Sequence, residues 1–294
     1  SNQNIKNLKI PALNYLFKRV DNKKRADIEF EIELEDKTTR WVLGSMNTSK
    51  TTGDYILVVH DITQLRQLNS MRRDFISNLS HELRTPVSVI RANSETLLDG
   101  ALDNKKEAKT FAKAILHNSE RLSVMVADLI DLSRIEYGDL KLNIKKIDLI
   151  TFMDDFVTSM KSVTKKKEIE IIFKSNHYDF VKADPQALER IMNNLVDNAF
   201  KYSEKGSSIE ISTITEHQHV KVMVSDSGIG VSDEDKDHIF DRFYRTASAR
   251  ASDNKGSGLG LAIVKNLTNS LNGEVGVESK NDSGSVFWFT IPIN

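Results

Sequence analysis

Within one helical turn the hexapeptide His81-Glu82-Leu83-Arg84-Thr85-Pro86 gathers an imidazole, a carboxylate and a hydroxyl. A neutral imidazole nitrogen is a nucleophile near physiological pH. Glu82 can accept from the other ring nitrogen, which fixes the tautomer and balances charge as a bond forms. Asn78, His81, Thr85 and Ser88 recur at helical spacing, on a stripe apart from the apolar seam of Phe75, Leu79 and Leu83. His81 is therefore expected to point outward. Pro86 has no N–H for the carbonyl of Glu82, so the helix is expected to bend beside the ring. Taken alone, an exposed helical histidine is an ordinary surface residue, and His60, His117, His177, His217, His219 and His238 are read that way.

A second set of polar residues lies a hundred positions further on. Asn194, Asn198 and Lys201 share one stripe of a helix expected over 185–201, beside an apolar stripe of Leu188, Ile191, Leu195 and Ala199. Two amides and a lysine aligned this way suit phosphate oxygens and Mg²⁺, a hard cation that prefers oxygen donors and keeps several waters. An isolated asparagine pair would only be a solvated face. Asp226-Ser227-Gly228-Ile229-Gly230 follows an expected strand over 220–224. A carboxylate there can accept from the exocyclic amine of adenine while the glycines admit the base. By itself the same segment reads as a simple turn. Gly256-Ser257-Gly258-Leu259-Gly260 opens an apolar-periodic helix, and backbone amides at a helix start bind anions such as a triphosphate. A dinucleotide fold is disfavoured, because residues 246–255 before this turn are polar and loop-like.

In combination these segments resemble the sensor histidine kinases of two-component systems. The His81 hexapeptide is similar to their phosphoacceptor box, and residues 194–203 to their N box. Residues 226–230 and 256–260 resemble the two glycine boxes, Phe240-Asp241-Arg242-Phe243-Tyr244-Arg245 the F box, and Gly284-Ser285-Val286-Phe287 completes the pattern. The resemblance covers about residues 65–294, with every motif in family order.

It implies an ATP-dependent kinase that phosphorylates its own His81 and passes the phosphoryl group to an aspartate of a response-regulator receiver domain. By resemblance Glu82 is the acid/base partner, and Thr85 orients the water that dephosphorylates the regulator. Nucleotide contacts fall to Asn194, Asn198, Lys201, Tyr202, Asp226, Gly228, Gly230, Phe240, Gly256, Gly258, Leu259 and Gly260, with Mg²⁺ on Asn194 and Asn198. Arg245, and less directly Arg242, would approach the γ-phosphate from a segment anchored by its aromatics. Two rival readings are weaker. A non-kinase ATPase resembling Hsp90 or gyrase leaves the His81 box without a role and lacks an acid at position 194. A degenerate, nucleotide-sensing scaffold does not explain intact N, G and F boxes.

Elements able to hold these residues fit the composition. The chain has 294 residues, 39% hydrophobic and 28% charged, enough for two or three compact units. A net charge of −1 argues against a nucleic-acid footprint. With no cysteine, disulfides, thiolate metal sites and cysteine nucleophiles are excluded. No apolar run reaches membrane-spanning length. The Ser1-Asn2 start, without an initiator Met, suggests a piece of a longer protein, and the resemblance implies the cytoplasmic portion of a membrane-anchored bacterial sensor.

The expected fold is a multidomain α+β chain of three regions. Residues 1–62 read as an antiparallel sheet: Ile28, Phe30, Ile32 and Leu34 alternate with Glu29, Glu31 and Glu33, and two more strands follow around 40–46 and 54–60, with Gly53 in the turn. Val58-Val59-His60-Asp61-Ile62-Thr63 resembles the last strand and exit of a PAS sensor domain, which implies a partial PAS-like region; a small strand-rich spacer is the alternative. Residues 63–138 read as a helical hairpin, with Leu65, Leu68, Phe75 and Leu79 on one helix and Ile115, Leu122, Met125, Leu129 and Leu132 on the other. Two such seams bury only against a second copy, so a homodimeric four-helix bundle is expected. Residues 147–294 read as a two-layer α/β sandwich, with one helix expected over 150–166, and the resemblance implies the GHKL (Bergerat) type.

Overall fold

A computed structural model describes residues 11–23, 25–34, 37–49, 54–136, 138–175, 180–251, 256–279 and 284–293. His177 and the Gly53 turn lie outside the described residues. The described residues form two compact units, Ser1–Asn78 and Leu79–Asn294.

In the first unit, α1 (Pro11–Lys23) precedes an antiparallel sheet of β1 (Arg25–Glu33), β2 (Thr39–Thr48) and β3 (Tyr55–Asp61), in that order. The β1 alternation holds as far as Glu33, with Glu29, Glu31 and Glu33 exposed and Phe30 and Ile32 half-buried, whereas Leu34 lies past the strand and is exposed. The helix was not anticipated. Its Leu13, Leu16 and Val20, spaced for one face, close over Ala26 and Met46. Gly44 of β2 lets this helix approach, since a Cβ there would lie 3.0 Å from the Phe30 ring and 3.3 Å from Leu16.

Helix α2 (Thr63–Leu98) runs without interruption through Pro86, its one buried residue among those described. A short 3₁₀ turn (Ala101–Asp103) leads to α3 (Lys105–Glu136). Gly100, at φ 123°, makes the turn possible. Asn104 then caps α3: its Oδ1 accepts from the Lys106 amide at 3.1 Å, and its Nδ2 donates to Glu107 at 3.0 Å. Along α3, Met125 and Leu132 are buried, while Leu116, Val124 and Ile130 are exposed. Among the described residues no helix is long and apolar enough to cross a membrane.

The rest of the second unit is a two-layer sandwich. A five-stranded sheet is ordered β5 (Glu170–Ser175), β7 (Ser208–Glu216), β8 (His219–Ser225), β10 (Ser285–Pro292), β9 (Val275–Ser279), with only the β5–β7 pair parallel. One face of it is buried through Ile209, Ile211, Val220, Val222, Val224, Phe287, Phe289 and Ile291. Helices α4 (Leu149–Ser159), α6 (Pro185–Tyr202) and α9 (Gly260–Ser270) pack on the sheet, and α9 also meets α3. Where one helix is expected over 150–166, the chain turns at Met160 and continues as α5 (Lys161–Lys167). A small antiparallel pair, β4 (Lys145–Asp148) with β6 (Phe180–Ala183), was not anticipated. Two short helices, α7 (Asp233–Lys236) and α8 (Ala247–Ala251), complete the unit.

Candidate active site

Helix α6 begins at a strong start signal. The Asp184 carboxylate accepts from the amides of Gln186 at 2.8 Å and Ala187 at 3.1 Å, and Pro185 fills the first helical position. It also accepts from the Asn143 amide at 2.6 Å, tying the helix start to the chain entering β4. Burial opposes its ionisation, but the hydrogen bonds from Asn143, Ala187 and Gln186 outweigh that and hold the carboxyl below its usual range. From this cap the helix buries Leu188, Ile191, Leu195 and Ala199 on the sheet, which turns Arg190, Asn194, Asn198 and Lys201 toward a cleft of about 500 Å³.

Asp226 sits at the end of β8, 4% exposed. Its Oδ1 accepts from the amides of Gly228 at 2.8 Å and Ser285 at 3.2 Å, so the carboxylate is aimed by backbone. Glycine is required beside it: a Cβ on Gly228 would lie 2.6 Å from the Tyr202 carbonyl oxygen, and one on Gly284, at φ +96°, 2.2 Å from the Asp226 carbonyl oxygen. Ile229, Val231, Ile239 and Phe287 line the same part of the cleft. An apolar slot with one buried carboxylate can receive a flat heteroaromatic ring bearing an amine.

At the other side stands the turn into α9. A Cβ on Gly260 would lie 2.7 Å from the Asn194 Oδ1, and one on Gly258, at φ +70°, 2.7 Å from the Phe243 Cα. The Phe243 amide donates to the Gly258 carbonyl at 2.8 Å, which joins the Phe240–Arg245 segment to the glycine turn. That segment is braced by Tyr244, whose hydroxyl donates to Asp235 at 2.6 Å. The same bond raises the Tyr244 pKa. Arg245 lines the cleft and its guanidinium donates to the Ala249 carbonyl. Arg242 is not among the lining residues.

The cleft thus brings together Asn194, Asn198, Lys201, Tyr202, Asp226, Gly230, Arg245, Gly256, Gly258 and Gly260. Gly228, Phe240 and Leu259 do not line it. Phe240 and Leu259 are buried beneath the wall, at 9% and 0% exposure. Arg121, Arg190, Lys201 and Arg245 supply positive charge to the lining, against Asp128, Asp197 and Asp226, a balance suited to a polyanion.

One wall comes from the hairpin, which sequence reasoning did not foresee. Arg121, Val124, Met125 and Asp128 recur at helical spacing on α3 and face the cleft. Arg190 donates to Asp128 at 2.7 Å and pairs with Asp131 at 2.8 Å, so α6 is clamped to α3. Burial raises the Asp128 pKa, Arg190 opposes that rise, and neighbouring Asp131 adds to it. Arg190 had a signal: it stands four residues before Asn194 on the same stripe.

His81, Glu82 and Thr85 lie outside the lining, on α2. Asn78, His81, Thr85 and Ser88 are all exposed, and Leu79 and Leu83 half-buried, as the spacing predicts. The Thr85 hydroxyl donates to the His81 carbonyl at 3.3 Å. Glu82 departs from expectation. Its carboxylate is held by Arg121 across the hairpin at 3.0 Å rather than by the ring beside it. A guanidinium on the facing helix outcompetes a neutral ring N–H for a half-buried carboxylate.

Residues 71–138 match the His Kinase A (phospho-acceptor) domain, and residues 183–294 the histidine kinase-, DNA gyrase B-, and HSP90-like ATPase. The sensor-like histidine kinase SenX3 of Mycobacterium tuberculosis is 35% identical over 237 residues, 81% of this chain and 58% of SenX3. The chain therefore spans less than two thirds of that relative. Among solved structures, the Acinetobacter baumannii histidine kinase AdeS aligns at TM-score 0.61 and 26% identity over 73% of this chain and 98% of that one. Histidine kinase ThkA in complex with response regulator protein TrrA shares the fold at TM-score 0.64 and 21% identity, over 97% of this chain and 85% of that one. With a match to the phospho-acceptor domain and a match to this ATPase in one chain, and 35% identity to SenX3 over 237 residues, the chain belongs to the sensor histidine kinases.

Proposed function

We propose that the chain is the catalytic part of an ATP-dependent protein-histidine kinase that phosphorylates its own His81. The single observation that carries this reading is the link from exposed His81, through its neighbour Glu82 and Arg121, to the wall of the nucleotide cleft. Adenine enters the slot against Asp226, and the phosphates lie along Asn194, Asn198, Lys201 and the amides of residues 256–260. The second unit then rearranges to bring the γ-phosphate in line with His81. One ring nitrogen attacks the γ-phosphorus and an N–P bond forms. The bond from that phosphorus to the β-bridging oxygen breaks, and ADP leaves with the electron pair. Glu82, released from Arg121, takes the hydrogen bond of the other ring nitrogen and offsets its growing charge. Arg245 neutralises the transferring group.

Mg²⁺ fits this donor set. The Asn194 Nδ2 donates to the Arg190 carbonyl at 2.8 Å, leaving its Oδ1 turned to the glycine turn. Among the described residues no cluster of acids and histidines could hold a metal alone, as suits an ion bound mainly by phosphate and water. Bound there on Asn194 and Asn198, Mg²⁺ would supply charge neutralisation to the phosphates.

The same reading assigns residues 1–62 to a PAS-like sensor region, 63–138 to dimerisation and phosphotransfer, and 147–294 to ATP binding. A homodimer is supported by the exposure of Leu65 (57%), Leu68 (64%) and Met71 (66%) along α2. The phosphoryl group passes to a response-regulator aspartate, as the ThkA–TrrA complex suggests. Thr85, one turn from His81, orients the water that dephosphorylates the regulator. The parent protein is a membrane-anchored sensor with this part in the cytoplasm. Incubation with γ-labelled ATP tests the core claim: acid-labile, base-stable label is expected in the wild type and lost in His81→Gln. Label that survives in the variant, or none in a wild type that binds ATP, refutes it.

A further inference from the structure

Arg121 is half-buried, its side chain 16% exposed, on the cleft wall formed by α3. Its one side-chain bond described is to the Glu82 carboxylate, through a single terminal nitrogen at 3.0 Å. The Arg121 Nε is buried with no acceptor. A guanidinium carries five N–H donors in a planar fork suited to two oxyanions at once. Leaving one buried donor idle is costly, and a charged acceptor repays it most. The cleft is where such an acceptor enters, and its remaining lining selects a polyanion. Asp226 and the α3 residues Arg121 and Asp128 line one cleft, so a nucleotide whose base is held at Asp226 shares that cleft with Arg121.

We propose that Arg121 is a positioning residue that couples the terminal phosphate of a bound nucleoside triphosphate to Glu82. Without triphosphate it holds the Glu82 carboxylate and keeps it from the ring of His81. When the phosphate arrives, the guanidinium turns its fork to the new oxyanion and relaxes its hold, and Glu82 becomes available to His81. Attack is thereby licensed only by a loaded cleft. The inference rests on the assignment of His81 as phosphoacceptor, but its binding arm does not.

Two measurements on the 294-residue chain test it. The first compares a non-hydrolysable ATP analogue with ADP by calorimetry. Arg121→Gln should weaken the triphosphate about tenfold, the worth of one charge-assisted hydrogen bond, and ADP less than about twofold. Equal effects on both ligands, or none on either, overturn the coupling whether or not His81 is phosphorylated. The second is a double-mutant cycle on the autophosphorylation rate at saturating ATP, with Glu82→Gln as partner. If Arg121 acts through Glu82, Arg121→Gln has little further effect on the rate in the Glu82→Gln background, while the triphosphate affinity still falls. Fully multiplicative rate losses overturn the proposal. A wild type that takes no label sinks the kinase reading itself and leaves the binding comparison to judge Arg121.

Discussion

Asn194 and Gly260 are in steric register: the amide oxygen of the first occupies nearly the place where a side chain on the second would begin, 2.7 Å from its ideal Cβ. The N-box helix and the glycine turn are thus shaped to each other. Gly260→Ala should leave unfolding free energy within about 1 kcal/mol of wild type, because alanine suits a helix start better than glycine does. It should displace the Asn194 amide from the Arg190 carbonyl and weaken Mg-ATP by about tenfold, the cost of one misplaced charge-assisted ligand. Titration calorimetry beside urea denaturation checks both halves.

Asp226→Asn keeps an oxygen for the Gly228 and Ser285 amides but cannot remain an acceptor on every side. Adenine nucleotide affinity is expected to fall at least about tenfold, with the fold and oligomeric state retained. Unchanged affinity in the folded variant would remove Asp226 from the base slot.

Thr85 donates to the backbone one turn away and leaves its methyl and oxygen beside His81. Thr85→Ala should slow dephosphorylation of a phosphorylated regulator by about tenfold or more, in the range of a lost water-orienting group. Autophosphorylation should change much less. Equal loss of both reactions, measured with the same regulator, counts against the assignment.

Asp184 anchors α6, and its loss is expected to be felt as stability. Asp184→Ala should cost about 1–2 kcal/mol near neutral pH, the usual worth of an N-cap. The folded carboxyl is held below its unfolded value, so its contribution is present above the ordinary carboxylate range and vanishes as pH falls through the lowered folded value. Urea unfolding of the two proteins should accordingly converge under acid conditions. A gap that stays constant with pH would mean that the cap's ionisation is irrelevant.

Asp128 has the opposite sign. Burial already disfavours its charge, so Asp128→Asn should cost less than about 1 kcal/mol, since the amide still accepts from Arg190. Asp128→Ala removes one partner of the partly exposed Arg190 guanidinium and should cost about 1–2 kcal/mol, Asp131 retaining the other. Paired urea titrations separate the two variants.

Local patterns made much of this legible. The alternation at residues 28–34, the paired stripes of α6 and the stripe holding His81 each depend on spacing within one element, and spacing survives folding. Helix α1 was missed because its face is only Leu13, Leu16 and Val20, which become meaningful once β2 supplies Met46 and a bare Gly44. Met160 gave no sign that the expected helix would turn there. Most instructive is Glu82. Its sequence neighbour is His81, but its bonding partner is Arg121, thirty-nine residues away. Which carboxylate meets which guanidinium is decided by the register of the hairpin, and that register hangs on Gly100 and the Asn104 cap, which mark a turn without fixing the level at which the two helices meet.

The hydrogen bond from the Phe243 amide to the Gly258 carbonyl has a kinetic consequence. The aromatic segment and the glycine turn share it, and the Phe243 backbone fills the space where any larger residue at 258 would stand. Neither can swing away alone without breaking that bond. The two segments are therefore expected to open together, and amide exchange at Phe243, measured with and without nucleotide, checks this: protection should rise at Phe243 and along residues 256–260 in step.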